Sequence, residues 1–202
     1  ERRQLLLAMA LRRVQVGSGS RDTFLAERRT AVFDWPDLRH ILAPVRWCIV
    51  GGVATRAYMP ERATQDLDIL VHERDHEQAL VLLAEANYTD GGALSIPGRV
   101  LYSPADVEID LLWSRDEWLD PALDNLAQDP AGYPVLALPY LVLMKLGASR
   151  VQDMADVSRM LGWADEEMLA EVRRVVARYN PADKDDLESL IFLGRQERGA
   201  GD

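Results

Sequence analysis

The stretch that decides the fold is Trp47–Glu73, with the sequence WCIVGGVATRAYMPERATQDLDILVHE. Its apolar runs and its paired glycines predict a strand, a turn, a short helix and a second strand. These elements cover Trp47–Val50, Gly51-Gly52, Val53–Met59 and Leu67–Val71. The stretch therefore predicts two strands joined by a glycine turn and a helix.

Two carboxylates stand at the mouth of the second strand. Alternate residues of a strand face the same side, so Asp66 and Asp68 point in one direction. Two neighbouring carboxylates repel each other unless a positive charge lies between them, and a divalent metal ion supplies that charge. On their own they would also fit solvated acids at a strand end.

A third carboxylate comes from a later strand. Three short strands are predicted over Leu94–Ile96, Val100–Ser103 and Val107–Trp113, and the last one carries Glu108 and Asp110 on one face. Asp66, Asp68 and Asp110 would converge on one or two Mg²⁺ ions if their strands are neighbours, as in phosphoryl and nucleotidyl transfer. Glu108 is either a further ligand or a charge at the site edge, and the second interpretation is favoured.

The glycine turn and the loop before Asp66 suit a phosphate group. Gly51 and Gly52 let a phosphate approach backbone N–H groups at the start of a helix. Arg62 is either a surface charge or a bidentate ligand of a triphosphate.

The ordered set of GG, R-A-T-Q-D-L-D-I and V-E-I-D resembles the nucleotidyltransferase fold of the DNA polymerase β superfamily. The set occupies Gly51-Gly52, Arg62–Ile69 and Val107–Asp110. The sequence is most similar to the AbiEii-like group of toxin–antitoxin nucleotidyltransferases, in which a helical lysine and an R…D-x-x-D segment follow. Those features match Lys145, then Arg150 with Asp153 and Asp156.

The resemblance implies a role for each matching residue. Asp66 and Asp68 would hold metal, Asp110 would complete the site and help to deprotonate the acceptor hydroxyl, and Lys145 would reach the nucleotide phosphates. Asp156 would contact Lys145 or the metal. Without the resemblance, Lys145 would read as a lysine at a helix C-terminus, and Asp153 and Asp156 as helix-surface acids.

One position departs from the wider superfamily, in which a serine that contacts phosphate follows the first glycines. This chain has Val53 there. Thr55 or Thr64 is the candidate replacement for the missing hydroxyl, and Thr64 is counted with the nucleotide-binding residues. The Gly-Gly form occurs in the AbiEii-like group, so Val53 does not indicate an inactive protein.

The resemblance also implies an activity and partners. It predicts Mg²⁺-dependent transfer of a nucleotide from an NTP to RNA, for example a tRNA 3′ end, by a toxin that a partner antitoxin neutralises. The alternatives are a small-molecule acceptor, as in aminoglycoside nucleotidyltransferases, a protein acceptor, or a non-catalytic binding module with the same fold.

Residues His72-Glu73-Arg74-Asp75-His76 match the zinc-peptidase motif H-E-x-x-H. That chemistry needs both histidines on one face of a helix. Here His72 ends a predicted strand and the next helix starts near Asp75, so surface histidines are the better interpretation.

Composition bounds the remaining possibilities. The 202 residues carry a formal net charge of -10, so bulk attraction to nucleic acid and stable DNA binding are not expected. Apolar runs stay short of the ~20 residues of a membrane helix, and neither a signal peptide nor a disulfide partner for Cys48 is recognisable. A cytoplasmic protein without membrane attachment is expected.

The predicted fold class is α/β, also describable as α+β, with a small mixed sheet flanked by helices and followed by a C-terminal helical bundle. Residues 1–20 read as an N-terminal helix and a Gly-Ser linker, which is either natural or engineered. Residues 21–118 are predicted to form the α/β core, and residues 119–202 are predicted to form the helical part.

Overall fold

The computed structural model describes residues 35–60, 64, 66–129 and 131–199. These residues confirm the α/β fold class, with a mixed sheet of seven strands and seven α-helices. The strands are β1 Trp47–Ile49, β2 Leu67–His72, β3 Thr89–Ala93, β4 Gly98–Tyr102, β5 Glu108–Ser114, β6 Ala127–Gln128 and β7 Pro134–Val135. The helices are α1 Gly51–Ala54, α2 His76–Glu85, α3 Leu119–Asp124, α4 Leu138–Ala148, α5 Val151–Trp163, α6 Glu166–Tyr179 and α7 Lys184–Gly199. The segment 1–20 and Arg62 lie outside the described residues.

The described residues form two compact units, 35–141 and 142–199, and the boundary falls within α4. The first unit contains the sheet, whose strand order is β3-β4-β5-β2-β1-β7-β6. Strand β2 pairs antiparallel with β1 and parallel with β5, so the two acidic strands are neighbours in the centre of the sheet.

Buried branched side chains hold these central strands in place. Ile69, Ile109 and Leu111 are fully buried on the face opposite Asp68 and Asp110. Because a shift of one residue would turn this apolar set toward the other face, the pairing register of β2 and β5 is strongly specified.

The hairpin before β5 differs from the expectation. The strand predicted over Leu94–Ile96 is wrong, because those residues belong to the connection between β3 and β4. The strand that pairs with β4 is instead β3, the glycine-containing stretch Thr89–Ala93. It is an edge strand with a bulge between Asp90 and Gly92. Glycine and aspartate are poor strand formers, and so tertiary pairing overrides the local preference here.

Strands β6 and β7 were not predicted from the sequence. Each has two residues, and they lie in the segment 119–141 that the sequence pattern assigns to the helical part. Val135 of β7 pairs in parallel with Ile49 of β1, so this segment completes the sheet.

The second unit is helical. Helices α5 and α7 approach closely at Gly162 and Gly194. The approach leaves no room for a side chain, since a Cβ added at Gly194 would lie 1.9 Å from the carbonyl oxygen of Ser158. Helix α6 begins where Asp165 accepts a hydrogen bond from the Met168 N–H at 2.8 Å, which is a typical N-cap. None of the described helices has the length and apolar character needed to cross a membrane.

Candidate active site

The register of two parallel strands brings the acidic residues together. Asp68 of β2 pairs directly with Asp110 of β5, and Asp66 lies two residues before Asp68. Asp66, Asp68 and Asp110 each offer a carboxylate oxygen within 4.8 Å of the other two. Among the described residues, no other set of three histidine, cysteine, aspartate or glutamate side chains meets this criterion.

We call this set the carboxylate cluster (Asp66, Asp68 and Asp110), and among the described residues Asp110 is its member with a buried, unsatisfied oxygen. Its Oδ1 atom is buried and finds no hydrogen-bond partner in the described part of the chain. Burial raises the pKa of Asp110, and the nearby charges of Asp66 and Glu108 raise it further. An oxygen in these surroundings is stabilised when a cation approaches it.

Gly51 leaves room for the carboxylate of Asp68. A Cβ atom at Gly51 would lie 1.8 Å from Asp68 Oδ2, which no side chain tolerates. Gly51 also has a φ of 63°, in the left-handed region that favours glycine. The backbone N–H of Val50 donates to the Asp68 carbonyl at 2.9 Å, which holds the turn against the start of β2.

The two threonines near the site have different surroundings. Thr55 is fully buried, and its hydroxyl donates to the Gly52 carbonyl of α1 at 2.8 Å, so this hydroxyl is committed to the backbone rather than to a ligand. Thr64 is half-buried and donates to Asp66 Oδ1 at 2.7 Å. Its predicted contact with a nucleotide stays a prediction, as do those of Gly51 and Gly52.

The cluster fits a hard divalent cation. Mg²⁺ prefers carboxylate oxygens, and sites that act on phosphates use few protein ligands and leave positions for substrate oxygens. The three aspartates supply only oxygen donors, and the buried Oδ1 of Asp110 is an acceptor that a cation would satisfy. The residues present therefore suit one or two Mg²⁺ ions.

Lys145, on α4, is held by two carboxylates of α5. Its Nζ donates to Asp153 Oδ1 at 3.0 Å and to Asp156 Oδ2 at 2.9 Å. All three residues are buried, with 4%, 2% and 0% of their surface exposed. The contact between Lys145 and Asp156 agrees with one of the two expectations for Asp156, and the phosphate role of Lys145 stays a prediction.

The H-E-x-x-H match has no zinc-site geometry. His72 is the last residue of β2, Glu73–Asp75 form a 3₁₀ turn, and His76 opens α2. His72 Nδ1 accepts the Arg74 N–H at 3.2 Å, while the His76 ring stacks on Trp113 with the centroids 4.5 Å apart. The two histidines do not share a helical face, so a zinc-peptidase site is excluded here.

Two features escaped the sequence pattern. The steric reason for Gly51 depends on the side-chain position of Asp68, which no local pattern encodes. The sequence resemblance matches Asp153 and Asp156 to a D-x-x-D segment but predicts no contact between Asp153 and Lys145, although the i, i+3 spacing of the two aspartates places them on one helical face. A lysine in an apolar helix followed by two such acids is the signal that would have predicted the buried network.

Comparisons with known proteins give distant structural similarities. A scan of family models found no match, and a search of curated proteins found no significant match. The antibiotic-resistance factor ANT(2″)-Ia aligns over 80% of this chain and 90% of its own, at 13% identity and a TM-score of 0.41. The lincosamide antibiotic adenylyltransferase LnuA aligns over 61% of this chain and 89% of its own, at 13% identity and a TM-score of 0.41. A candidate nucleotidyltransferase from Thermotoga maritima aligns over 70% of this chain and 94% of its own, at 17% identity and a TM-score of 0.44. Similarity at this level does not assign an activity to the chain.

Proposed function

We propose that this protein is a Mg²⁺-dependent nucleotidyltransferase that moves a nucleotide from an NTP to an acceptor hydroxyl. The observation that carries the proposal is the convergence of Asp66, Asp68 and Asp110 from two paired strands, with carboxylate oxygens within 4.8 Å of one another. Clusters of this chemistry suit reactions in which phosphate charge must be neutralised.

The three aspartates of the carboxylate cluster share one proposed task, and Asp110 and the neighbouring Gly51 each have a further one. Asp66, Asp68 and Asp110 would hold the metal, which when bound would activate the acceptor hydroxyl and neutralise the phosphates. The sequence resemblance also implies that Asp110 would help to deprotonate that hydroxyl. Gly51 keeps the Asp68 carboxylate in place by leaving its space empty.

The nucleotide contacts are proposed from the sequence resemblance. Gly51 and Gly52 would offer backbone N–H groups, while Arg62, Thr64 and Lys145 would contact the phosphates. Val53 stands where relatives carry a serine, and Thr55 does not replace that serine because its hydroxyl donates to Gly52. Thr64 remains the proposed source of a hydroxyl near the phosphates.

The acceptor is proposed in two forms. The resemblance to AbiEii-like toxins supports RNA, for example a tRNA 3′ end, with an antitoxin as partner. The net charge of -10 and the acidic side chain of Glu108 beside Asp110 favour a small or cationic acceptor instead. A binding module without catalysis is the rival from another class.

A labelling screen tests the proposed activity. The protein is incubated with Mg²⁺ and each of the four labelled NTPs, together with total RNA, a set of amine-bearing hydroxyl compounds, or a protein extract. We expect label to enter one acceptor class, and to be lost when Mg²⁺ is chelated or when Asp68→Ala is used. Asp116→Asn, an exposed aspartate after β5, is the control that keeps full activity.

The outcomes separate the alternatives. Label in RNA supports the toxin-like enzyme, and label in a small compound or a protein supports the alternative acceptors. Nucleotide binding without any transfer supports the binding module. Label that persists in the Asp68→Ala variant contradicts the proposed site.

A further inference from the structure

The buried network around Lys145 satisfies its own carboxylates. In Asp153, Oδ1 accepts a hydrogen bond from Lys145 Nζ at 3.0 Å, and Oδ2 accepts one from Arg150 Nε at 2.6 Å. In Asp156, Oδ2 accepts a hydrogen bond from Lys145 Nζ at 2.9 Å, and Oδ1 accepts one from Gln152 Nε2 at 3.0 Å. Each of the four carboxylate oxygens therefore already accepts a hydrogen bond from a side chain of the same unit.

This occupancy decides what the two aspartates can bind. Asp156 is fully buried, and each of its oxygens already accepts a side-chain hydrogen bond, so a metal ion or a ribose hydroxyl would have to share or displace those contacts. A direct contact with the triphosphate is also unfavourable, because like charges repel most strongly in a buried environment. The two aspartates are thus better suited to act on Lys145 than on a ligand.

The choice of lysine is informative in this chain. Lys145 and Lys184 are the two lysines among 23 lysine and arginine residues, so arginine is by far the commoner cation. A guanidinium would offer a planar fork, whereas an ammonium is a compact group with three N–H donors. Two donors go to Asp153 and Asp156, and those two bonds fix the direction of the third.

We propose that Asp153 and Asp156 are positioning residues that act through Lys145, holding its ammonium so that one N–H is directed for a nucleotide phosphate, and that neither carboxylate binds the nucleotide itself. This rests on the proposed function, which assigns Lys145 to the phosphates. It replaces the expectation that Asp156 belongs to the nucleotide-binding residues.

A double-mutant cycle tests whether Asp156 acts only through Lys145. Equilibrium binding of Mg²⁺ and labelled NTP is measured for wild type, Asp156→Asn, Lys145→Met and the double variant. We expect Asp156→Asn to weaken NTP binding about tenfold when Lys145 is present and to have no effect in the Lys145→Met background. An equal loss in both backgrounds would show that Asp156 contacts the ligand and would overturn the proposal.

Folding of the lysine variant is safeguarded by a second cycle. Lys145→Met leaves two buried carboxylates without their cation, so the same four measurements are repeated with Asp153→Asn in every protein, which removes one of those charges. The expected and contradicting results are the same as in the first cycle. Asp185→Asn, an exposed aspartate at the start of α7, is the matched control and keeps wild-type NTP binding.

Amine reactivity measures the hold on Lys145 without any nucleotide. Reductive methylation followed by peptide mass spectrometry compares Lys145 with Lys184, which is exposed and serves as internal reference. We expect Lys145 to be protected in wild type and at least about tenfold more reactive in the Asp153→Asn/Asp156→Asn variant, since each lost interaction is worth about a factor of ten. Equal reactivity of both lysines in wild type would overturn the proposal. If the wild type binds no NTP at all, the proposed function fails instead, together with the phosphate role of Lys145.

Discussion

Two groups of partly or fully buried carboxylates in this chain differ in where their counter-charge comes from. In the helical unit, Asp153 and Asp156 share Lys145, and Arg150 adds a second cation to Asp153. In the sheet unit, the charges that act most on Asp110 are the acidic ones of Asp66 and Glu108. Cationic side chains of the protein neutralise the carboxylates of the helical network, whereas the acidic surroundings of Asp110 favour the binding of an external cation.

This difference indicates that the carboxylates of the helical unit stabilise and orient other side chains, whereas the carboxylate of Asp110 is suited to bind a ligand. Burying a carboxylate is costly unless a partner compensates it. The helical unit supplies partners for every oxygen of Asp153 and Asp156, while the Oδ1 atom of Asp110 is buried without a partner in the described residues. A buried carboxylate without a partner is characteristic of a functional site, because a neutral residue at that position would give the folded protein a higher stability.

The largest expected effect breaks the sheet side of this comparison. Asp110→Asn is expected to reduce nucleotidyl transfer about a thousandfold or more, or about 4 kcal/mol in the transition state, because a metal ligand and a base are lost. The free energy of unfolding in chelator should not fall, since the substitution removes a carboxylate that burial and its neighbours disfavour. Labelling and urea denaturation measure the two quantities, with Asp116→Asn as control. A large loss of stability would contradict the assignment.

The next effect breaks the helical side. Lys145→Met is expected to lower the free energy of unfolding by about 3 kcal/mol or more, because two buried carboxylates lose their shared cation. Adding Asp153→Asn and Asp156→Asn should restore most of this loss. Urea denaturation measures the change, and Lys184→Met at an exposed position is the control with little effect. A Lys145→Met protein as stable as wild type would refute the balanced network.

A pair of glycine substitutions sharpens the geometry of the carboxylate cluster. Gly51→Ala combines a left-handed φ of 63° with a clash against Asp68, and is expected to cost about 2 to 4 kcal/mol of stability and most of the activity. Gly92→Ala has a φ of 113° but open space around the added Cβ, so backbone strain alone should cost about 1 kcal/mol and leave activity intact. Equal effects of the two variants on activity would contradict the role of Gly51.

The smallest effect concerns acid stability. Burial alone would raise the pKa of Asp153, but hydrogen bonds from Arg150 and Lys145 outweigh it and place the pKa below its usual value. A carboxyl with a lowered folded-state pKa contributes stability above its unfolded pKa of about 3.9, and the contribution is lost as the pH falls through the folded-state value. Asp153→Asn should therefore be less stable than wild type at pH 7, and the difference should shrink below about pH 4. Thermal denaturation across that range measures it, and a constant difference would count against the ion pair.

The central site was largely predictable from the sequence. The β-strand period placed Asp66 and Asp68 on one face, and the acidic strand that contains Asp110 proved to be the parallel neighbour of β2. The shared face of Asp66 and Asp68 follows from local periodicity, which the sequence records directly, whereas the pairing of β2 with β5 joins distant segments and was expected from the ordered motif set.

Other features depend on contacts that a sequence does not record. The strand predicted over Leu94–Ile96 was wrong because β3 pairs despite its glycines, and the two-residue strands β6 and β7 are too short for a periodic signal. The clearance at Gly51 and the satisfied oxygens of Asp156 depend on side-chain positions brought together by folding.

Binding of Mn²⁺ to the metal-free protein tests the central claim most directly, since Mn²⁺ accepts the same oxygen ligands as Mg²⁺ and its binding is seen by electron paramagnetic resonance. We expect Mn²⁺ to bind wild type in competition with Mg²⁺, to bind the Asp153→Asn variant equally well, and to be lost from Asp110→Asn. Undiminished Mn²⁺ binding by Asp110→Asn, or none by wild type even with NTP present, would contradict a metal site at Asp66, Asp68 and Asp110.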